Sequence, residues 1–117
     1  VNSKLCSSYA WDTALKFIET KYPTYSTNST QGNYLDKSAQ LGKPAKTGVT
    51  EAVNNIYDMG GNTWEWTTET FNRDTSFGTF RGCGCYDSSN SGSAAFRGFQ
   101  YTSRVTNDLS FRITLYL

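Results

Sequence analysis

Asn55-Ile56-Tyr57-Asp58-Met59-Gly60-Gly61-Asn62-Thr63-Trp64-Glu65-Trp66-Thr67 is the most patterned stretch of the chain. Trp64 and Trp66 alternate with Thr63, Glu65 and Thr67, the period of a strand with one face buried and one wet. Gly60 and Gly61 ahead of it permit a tight turn. Ordered structure is therefore expected from about residue 56 to residue 70.

Working outward, the N-terminal segment carries one clear helix. Trp11, Leu15, Ile18 and Tyr22 recur at intervals of four, three and four and make one apolar stripe. Ser8 is placed to cap the start, Asp12 falls in the first turn, and Pro23 stops the element. Residues 23–55 are polar and without period, punctuated by Gly42, Pro44 and Gly48, and read as a long irregular loop. Thr79-Phe80-Arg81-Gly82-Cys83-Gly84-Cys85-Tyr86 reads as a short strand or turn, and residues 87–108 are again polar and aperiodic. The closing run places Phe111, Ile113, Leu115 and Leu117 on one face and Arg112, Thr114 and Tyr116 on the other, a strand expected to lie within a sheet. One helix, short strands and much loop read as an α+β chain, with residues 1–117 expected to form a single domain, whether alone or as the C-terminal part of a longer protein.

Composition narrows the function. Aromatic residues make up 15% of the 117 residues, so an aromatic-rich core is expected with some Tyr left at the surface, where it suits binding. The net charge is +1 and no basic block is present, so neither nucleic acid nor an anionic membrane has electrostatic support. No apolar run is long enough to insert into a bilayer, and no signal peptide is visible. The chain has no His, which removes Ser-His and Cys-His catalysis and His-ligated zinc together. The three cysteines, Cys6, Cys83 and Cys85, are odd in number and two lie one residue apart, which is not a disulfide framework. Cys83 and Cys85 could form part of a soft-metal site only if another chain supplied the missing ligands.

The 55–67 block, Arg81-Gly82 followed by a stretch containing Ala95 and Arg97, and the closing Ser110-Phe111-Arg112-Ile113 together resemble the formylglycine-generating-enzyme, or sulfatase-modifying, superfamily. The resemblance covers the last two-thirds of the chain, and the helix around Trp11 and Asp12 fits its small phage-type members. It implies a C-type-lectin-like fold. It also implies structural use of Trp64, Glu65 and Trp66, with both tryptophans in the core and Glu65 fixing a loop through Arg81 or Arg112. Some enzymes of the superfamily bind calcium near this block, which would make Glu65 and the backbone around Gly61, Asn62 and Thr63 candidate ligands. The rest of a six- to eight-oxygen set cannot be named, so no cofactor is expected. The superfamily's enzymes use a cysteine pair ahead of the position that Arg97 matches. Counting back from Arg97, those positions hold Ser89 and Ala94, neither of which supplies a thiolate.

A second branch of the same fold lacks those cysteines: the variable proteins of diversity-generating retroelements, whose C-terminal segment is rewritten by adenine-directed mutagenesis. The chain resembles this branch most. Between Arg81-Gly82 and Ser110, positions that look fixed (Tyr86, Ser91, Gly92, Ser93, Ala95, Arg97) are interspersed with miscellaneous ones, which gives a candidate variable region over residues 83–108. The candidate ligand-binding positions are Cys83, Cys85, Asp87, Ser88, Asn90, Phe96, Gly98, Phe99, Gln100, Tyr101, Arg104, Thr106, Asn107 and Asp108. Among them, Phe96, Phe99, Gln100, Tyr101 and Arg104 are read as a solvent-facing patch in preference to core, because the run has no period that packing would demand. Arg81, Arg97 and Arg112 are assigned to the scaffold, as buried arginines tying down carbonyls and carboxylates, with Asp58 a partner for Arg97 or Arg112.

The resemblance implies a non-catalytic binding protein whose ligand is a protein or glycan on a cell surface, carried on a phage virion or a bacterial surface. A homo-oligomer would add avidity. A formylglycine-generating-type oxidoreductase and a calcium-dependent carbohydrate-binding lectin are the alternatives.

Overall fold

The computed structural model describes residues 1–27, 31–37, 42–90 and 92–117. Its elements in chain order are β1 (Asn2–Leu5), α1 (Ser8–Glu19), β2 (Trp64–Phe71), β3 (Asp74–Arg81), β4 (Arg97–Tyr101), β5 (Leu109–Phe111) and β6 (Ile113–Tyr116). β4, β3, β2 and β5 form one sheet in that order, antiparallel except for the parallel β2–β5 pair. β1 and β6 pair antiparallel as a separate two-stranded sheet that joins the two ends of the chain.

α1 forms where the apolar spacing predicts it. Trp11, Leu15 and Ile18 are buried on one stripe, and the Trp11 indole donates to the Ala94 carbonyl at 2.9 Å. The cap is one residue earlier than expected. Ser7 is extended, and its Oγ accepts from Ala10 N at 3.1 Å, while Ser8 is buried with its hydroxyl 3.2 Å from that of Thr67. Asp12 is consequently past the first turn and serves a different purpose, described below. The helix ends at Glu19, so Tyr22 packs on the core from beyond it. Described residues of the 23–55 segment carry isolated bridges but no helix or strand. At its end, Gly61 takes φ 76°, and a Cβ there would lie 2.9 Å from the Asn33 carbonyl oxygen, so the turn requires glycine.

Four expectations are corrected. The alternation in β2 is real but inverted: Glu65 and Thr67 are buried, while Trp64 and Trp66 are half-buried. The reason is that α1 covers the Glu65–Thr67 face at this end of the sheet, with Ser8 bonded to Thr67, leaving the tryptophan face under thinner cover. The core is also less aromatic than composition suggested. It is built from Cys6, Trp11, Leu15, Ile18, Tyr25, Val53, Met59 and Ala94, and none of the seven Phe is buried. Residues 97–101, read as aperiodic, form β4, because pairing with β3 supplies an order that the local pattern lacks. The closing run is broken at Arg112 into β5 and β6. Its apolar face is open, with Phe111 67%, Ile113 55% and Leu115 63% exposed, since β6 pairs with β1 alone.

Candidate functional site

Three arginines hold the region that carries the candidate residues. Arg81, 1% exposed, donates to a carboxylate oxygen of Asp12 and to the carbonyls of Ala95 and Phe96, both at 3.2 Å. It thereby ties α1 to the chain entering β4. Asp12 shares its other oxygen with Arg97 at 3.3 Å, and Arg97 Nε lies 3.1 Å from Glu69 Oε2. The pairing to Glu69 is an ion pair without hydrogen-bond alignment, since that oxygen has no hydrogen-bond donor. Arg97 is exposed where burial was expected: it sits on the outer strand β4, and its side chain is 49% exposed. Arg112 grips Glu65 with Nε at 2.8 Å and Nη2 at 3.0 Å, and Nη2 also reaches the Tyr57 carbonyl at 2.9 Å and that of Asp58 at 3.3 Å. Glu65 therefore fixes its loop through Arg112, not Arg81. Burial pushes the Glu65 carboxyl above its ordinary range, and the Arg112 charge opposes that rise without cancelling it. Asp58 meets Arg112 through its carbonyl alone, and its Oδ1 accepts from Thr50 at 2.7 Å.

This geometry tests the calcium set. Both Glu65 oxygens are occupied by Arg112. Asn62 Oδ1 accepts from Asn33 Nδ2 at 3.0 Å and from Ala45 N at 2.8 Å, and its Nδ2 donates to the Ala45 carbonyl. The side-chain oxygens of Glu65 and Asn62 are thus spent on the scaffold, and as placed these two side chains do not fit the ion.

The variable-region candidates divide into three groups. In the first, Cys83 and Cys85 are buried, at 1% and 0% exposure, so neither offers its thiol to a ligand. Cys83 Sγ donates to the Ser93 carbonyl at 3.4 Å, and burial pushes its thiol up to about 12, with Asp87 adding to the rise. Burial raises Cys85 and Cys6 as well. Cys83 and Cys85 lie inside because the turn after β3 folds back under the loop, where Cys85 N donates to the Asn62 carbonyl at 2.8 Å. Asp87 and Ser88 are half-buried turn residues: Asp87 Oδ2 accepts from Gly84 N at 2.8 Å, and the Ser88 carbonyl accepts from Gly92 N at 2.7 Å. Asn90 is exposed beside them. Ser91 lies outside the described residues.

The second group lines a cleft of about 240 Å³ formed by Trp64, Phe80, Phe96, Arg104, Thr106, Asp108 and Leu109. Trp64 meets Phe80 and Phe96 edge-on, with centroids 4.9 and 5.4 Å apart. Gly98 lies under Phe80: a Cβ there would be 2.3 Å from the ring. A side chain at Gly98 therefore requires the Phe80 ring to shift, which constrains it as a contact position.

The third group faces the opposite side, because alternation along β4 separates it. Phe99 stacks on Phe71 at 3.9 Å and Tyr101 leans on Phe77 at 4.3 Å, at 50% and 56% exposure. Gln100, between them in β4, falls on the Gly98 side instead and is half-buried, with Oε1 accepting from Tyr101 N. Asn107 is exposed and donates to the Tyr86 hydroxyl at 3.3 Å. The expected single patch is thus two surfaces back to back. Sequence reading missed Asp12, Glu69, Phe71, Phe77 and Phe80. Phe77 and Phe80 lie three apart and on opposite faces of β3, so alternation along the strand did not signal them.

A mostly antiparallel sheet, one short helix and paired chain ends are consistent with a C-type-lectin-like fold. Residues 3–116 match the sulfatase-modifying factor enzyme 1-like domain, and the chain belongs to that family. Among solved structures it is similar to the crystal structure of CarF (TM-score 0.75, 20% identity, covering 95% of this chain and 46% of that one). It is also similar to Treponema denticola variable protein 1 (TM-score 0.66, 18% identity, 95% and 46%). These likenesses establish the fold, and the chain spans less than half the length of either structure. No curated protein matches it. Ser89 and Ala94, where the resemblance places the family's cysteine pair, are both buried. Ser89 donates from its backbone N and hydroxyl to the Asp36 carboxylate, each at 2.7 Å, and Ala94 packs in the core. Among the described residues no helix is long and apolar enough to cross a membrane.

Proposed function

We propose that this chain is a non-catalytic recognition domain, with residues 83–108 its variable region, rewritten by a diversity-generating retroelement. The observation that carries the reading is the presentation of large side chains on a tied-down backbone. Phe96, Phe99 and Tyr101 are 48%, 50% and 56% exposed, while the strand beneath them pairs with β3 over five residues. Arg81 holds the carbonyls at the entry to that strand from below. Side chains on such a frame can change identity without reordering the backbone, which keeps the ordering cost of binding low. Aromatic and Arg side chains are the usual anchors of protein interfaces. Likeness to a variable protein supports the same reading. The ligand would be a protein or glycan on a cell surface.

Family membership favours one other reading, an oxidoreductase of the formylglycine-generating type. Buried thiols with raised pKa are poor nucleophiles and weigh against it. Incubation of the purified protein with a cysteine-containing sulfatase peptide tests it: cysteine-dependent formation of the aldehyde would replace our reading.

Deep sequencing of the gene across a population, with its flanking DNA, tests the main proposal. Substitutions concentrated at adenine-containing codons of a nearby template copy, beside a reverse transcriptase gene, are expected. An invariant segment without a template would overturn the diversification.

A further inference from the structure

We propose that the cleft between Trp64 and Asp108 receives a basic side chain, lysine or arginine, of a protein ligand. This rests on the recognition reading above and names the chemistry of one of its two surfaces. A volume of about 240 Å³ suits a single side chain better than a whole small molecule, whose pockets start at roughly 300 Å³.

The walls favour a cation with an apolar stem. Trp64, Phe80 and Phe96 all line the cleft, with Phe80 and Phe96 at 74° and 68° to the Trp64 ring. Ring faces are electronegative and attract an ammonium or guanidinium group, while the stem gains apolar contact. At the edge sits Asp108, half-buried, whose carboxylate makes no hydrogen bond or ion pair among the described residues. Its backbone is held in place, since its carbonyl accepts from Trp64 N at 2.8 Å. A half-buried charge lacking a partner is incompletely hydrated and gains by acquiring a counter-charge.

Arg104 lines the same cleft but does not fill that role. It is exposed and forms no ion pair with Asp108. Asp87 places a second carboxylate behind this end: its Oδ2 accepts from Gly84 N at 2.8 Å, and a Cβ on Gly84 would lie 3.6 Å from Asp108 Oδ2. Of the two charges lining the cleft, the less hydrated one is negative.

The test is a titration of the isotope-labelled chain, following the Trp64 indole N–H resonance. The probes are the N-acetyl N-methylamides of lysine, arginine, norleucine and glutamate. Lysine and arginine probes are expected to move the resonance, with norleucine, of similar length but neutral, at least roughly tenfold weaker. D108N should weaken the cationic probes by a similar factor and leave norleucine unchanged, and R104Q should strengthen them. Should D108N fail to fold, the lysine–norleucine comparison on the unaltered chain decides alone. Equal binding of norleucine, preference for glutamate, a D108N variant that folds and binds unchanged, or no movement with any probe would each overturn the proposal. None of these outcomes touches the population sequencing, so a cleft that ignores cations and a segment that is not diversified are separate failures.

Discussion

Both carboxylate oxygens of Glu65 accept from Arg112, at 2.8 and 3.0 Å, and the same guanidinium holds the carbonyls of Tyr57 and Asp58. One side chain thereby joins the residue between β5 and β6, the start of β2 and the loop ahead of it. Removing one partner of a largely buried pair leaves the other charge uncompensated. R112A is expected to cost about 3 kcal/mol, read from urea unfolding at neutral pH. E65Q isolates the titration. Because the folded-state pKa of Glu65 is raised, its contribution to stability is fully present below about pH 4.5 and is lost as pH rises through the folded value. The stability difference between the unaltered chain and E65Q should therefore move in favour of E65Q across that rise.

Arg81 and Asp12 should respond unequally to substitution. R81A removes a buried guanidinium and leaves the part-buried Ala95 and Phe96 carbonyls without their donor, and is expected to cost about 3 kcal/mol. Asp12 has a side chain 51% exposed, but D12N leaves the buried Arg81 guanidinium with carbonyl acceptors alone, so it is expected to cost about 1–2 kcal/mol, less than R81A. Thermal unfolding of both variants checks the ordering, and a larger loss in D12N would contradict the account.

Gly98 should resist substitution even if its neighbours are free to change. A valine there overlaps the Phe80 ring and is expected to destabilise by roughly 1–3 kcal/mol. Pairing G98V with F80A makes room, and a double variant recovering part of the loss would confirm that the clash is the cause. In a population survey, codon 98 should remain glycine or be depleted of large residues.

The thiols should be silent in the folded chain. Disulfide reagent at pH 8 is expected to find no reactive cysteine in native protein and three after denaturation. Cys83, raised from 9.0 to about 12, contributes stability that is complete below about pH 9 and is lost as pH climbs towards 12. C83A should remove that share of the alkaline loss in pH-dependent unfolding.

Asp36 should confer the opposite pH dependence. The Ser89 backbone N–H and hydroxyl hold its carboxyl below the usual 3.8, so its stabilisation is present above that pH and is lost as pH falls through the lower folded value. D36N should flatten the acid side of the stability profile without changing the alkaline side.

Much of the scaffold was legible in local pattern. The spacing of Trp11, Leu15 and Ile18 marked the helix and its buried face, Gly60-Gly61 marked the turn, and the Trp64–Trp66 alternation marked β2. Boundaries and caps slipped by a residue or more, because Ser7 and Ser8 are equivalent as sequence and only the packing of Ser8 on Thr67 separates them. The two faces of the candidate site were not legible. Phe96 and Phe99 are near in sequence, but β4 pairs with β3 and sends them to different surfaces.

By itself the sequence determined what depends on neighbours along the chain: a helix, alternating strands, a glycine turn, the absence of histidine chemistry and the family signature. Tertiary structure decided which face of β2 is buried, that Cys83 and Cys85 lie inside, and which acid each arginine meets. Periodicity and turn chemistry act over a few residues, whereas Arg81 finds Asp12 across 69 positions and Arg112 finds Glu65 across 47. Pairings at that range follow from how sheet and helix stack, which no local pattern encodes.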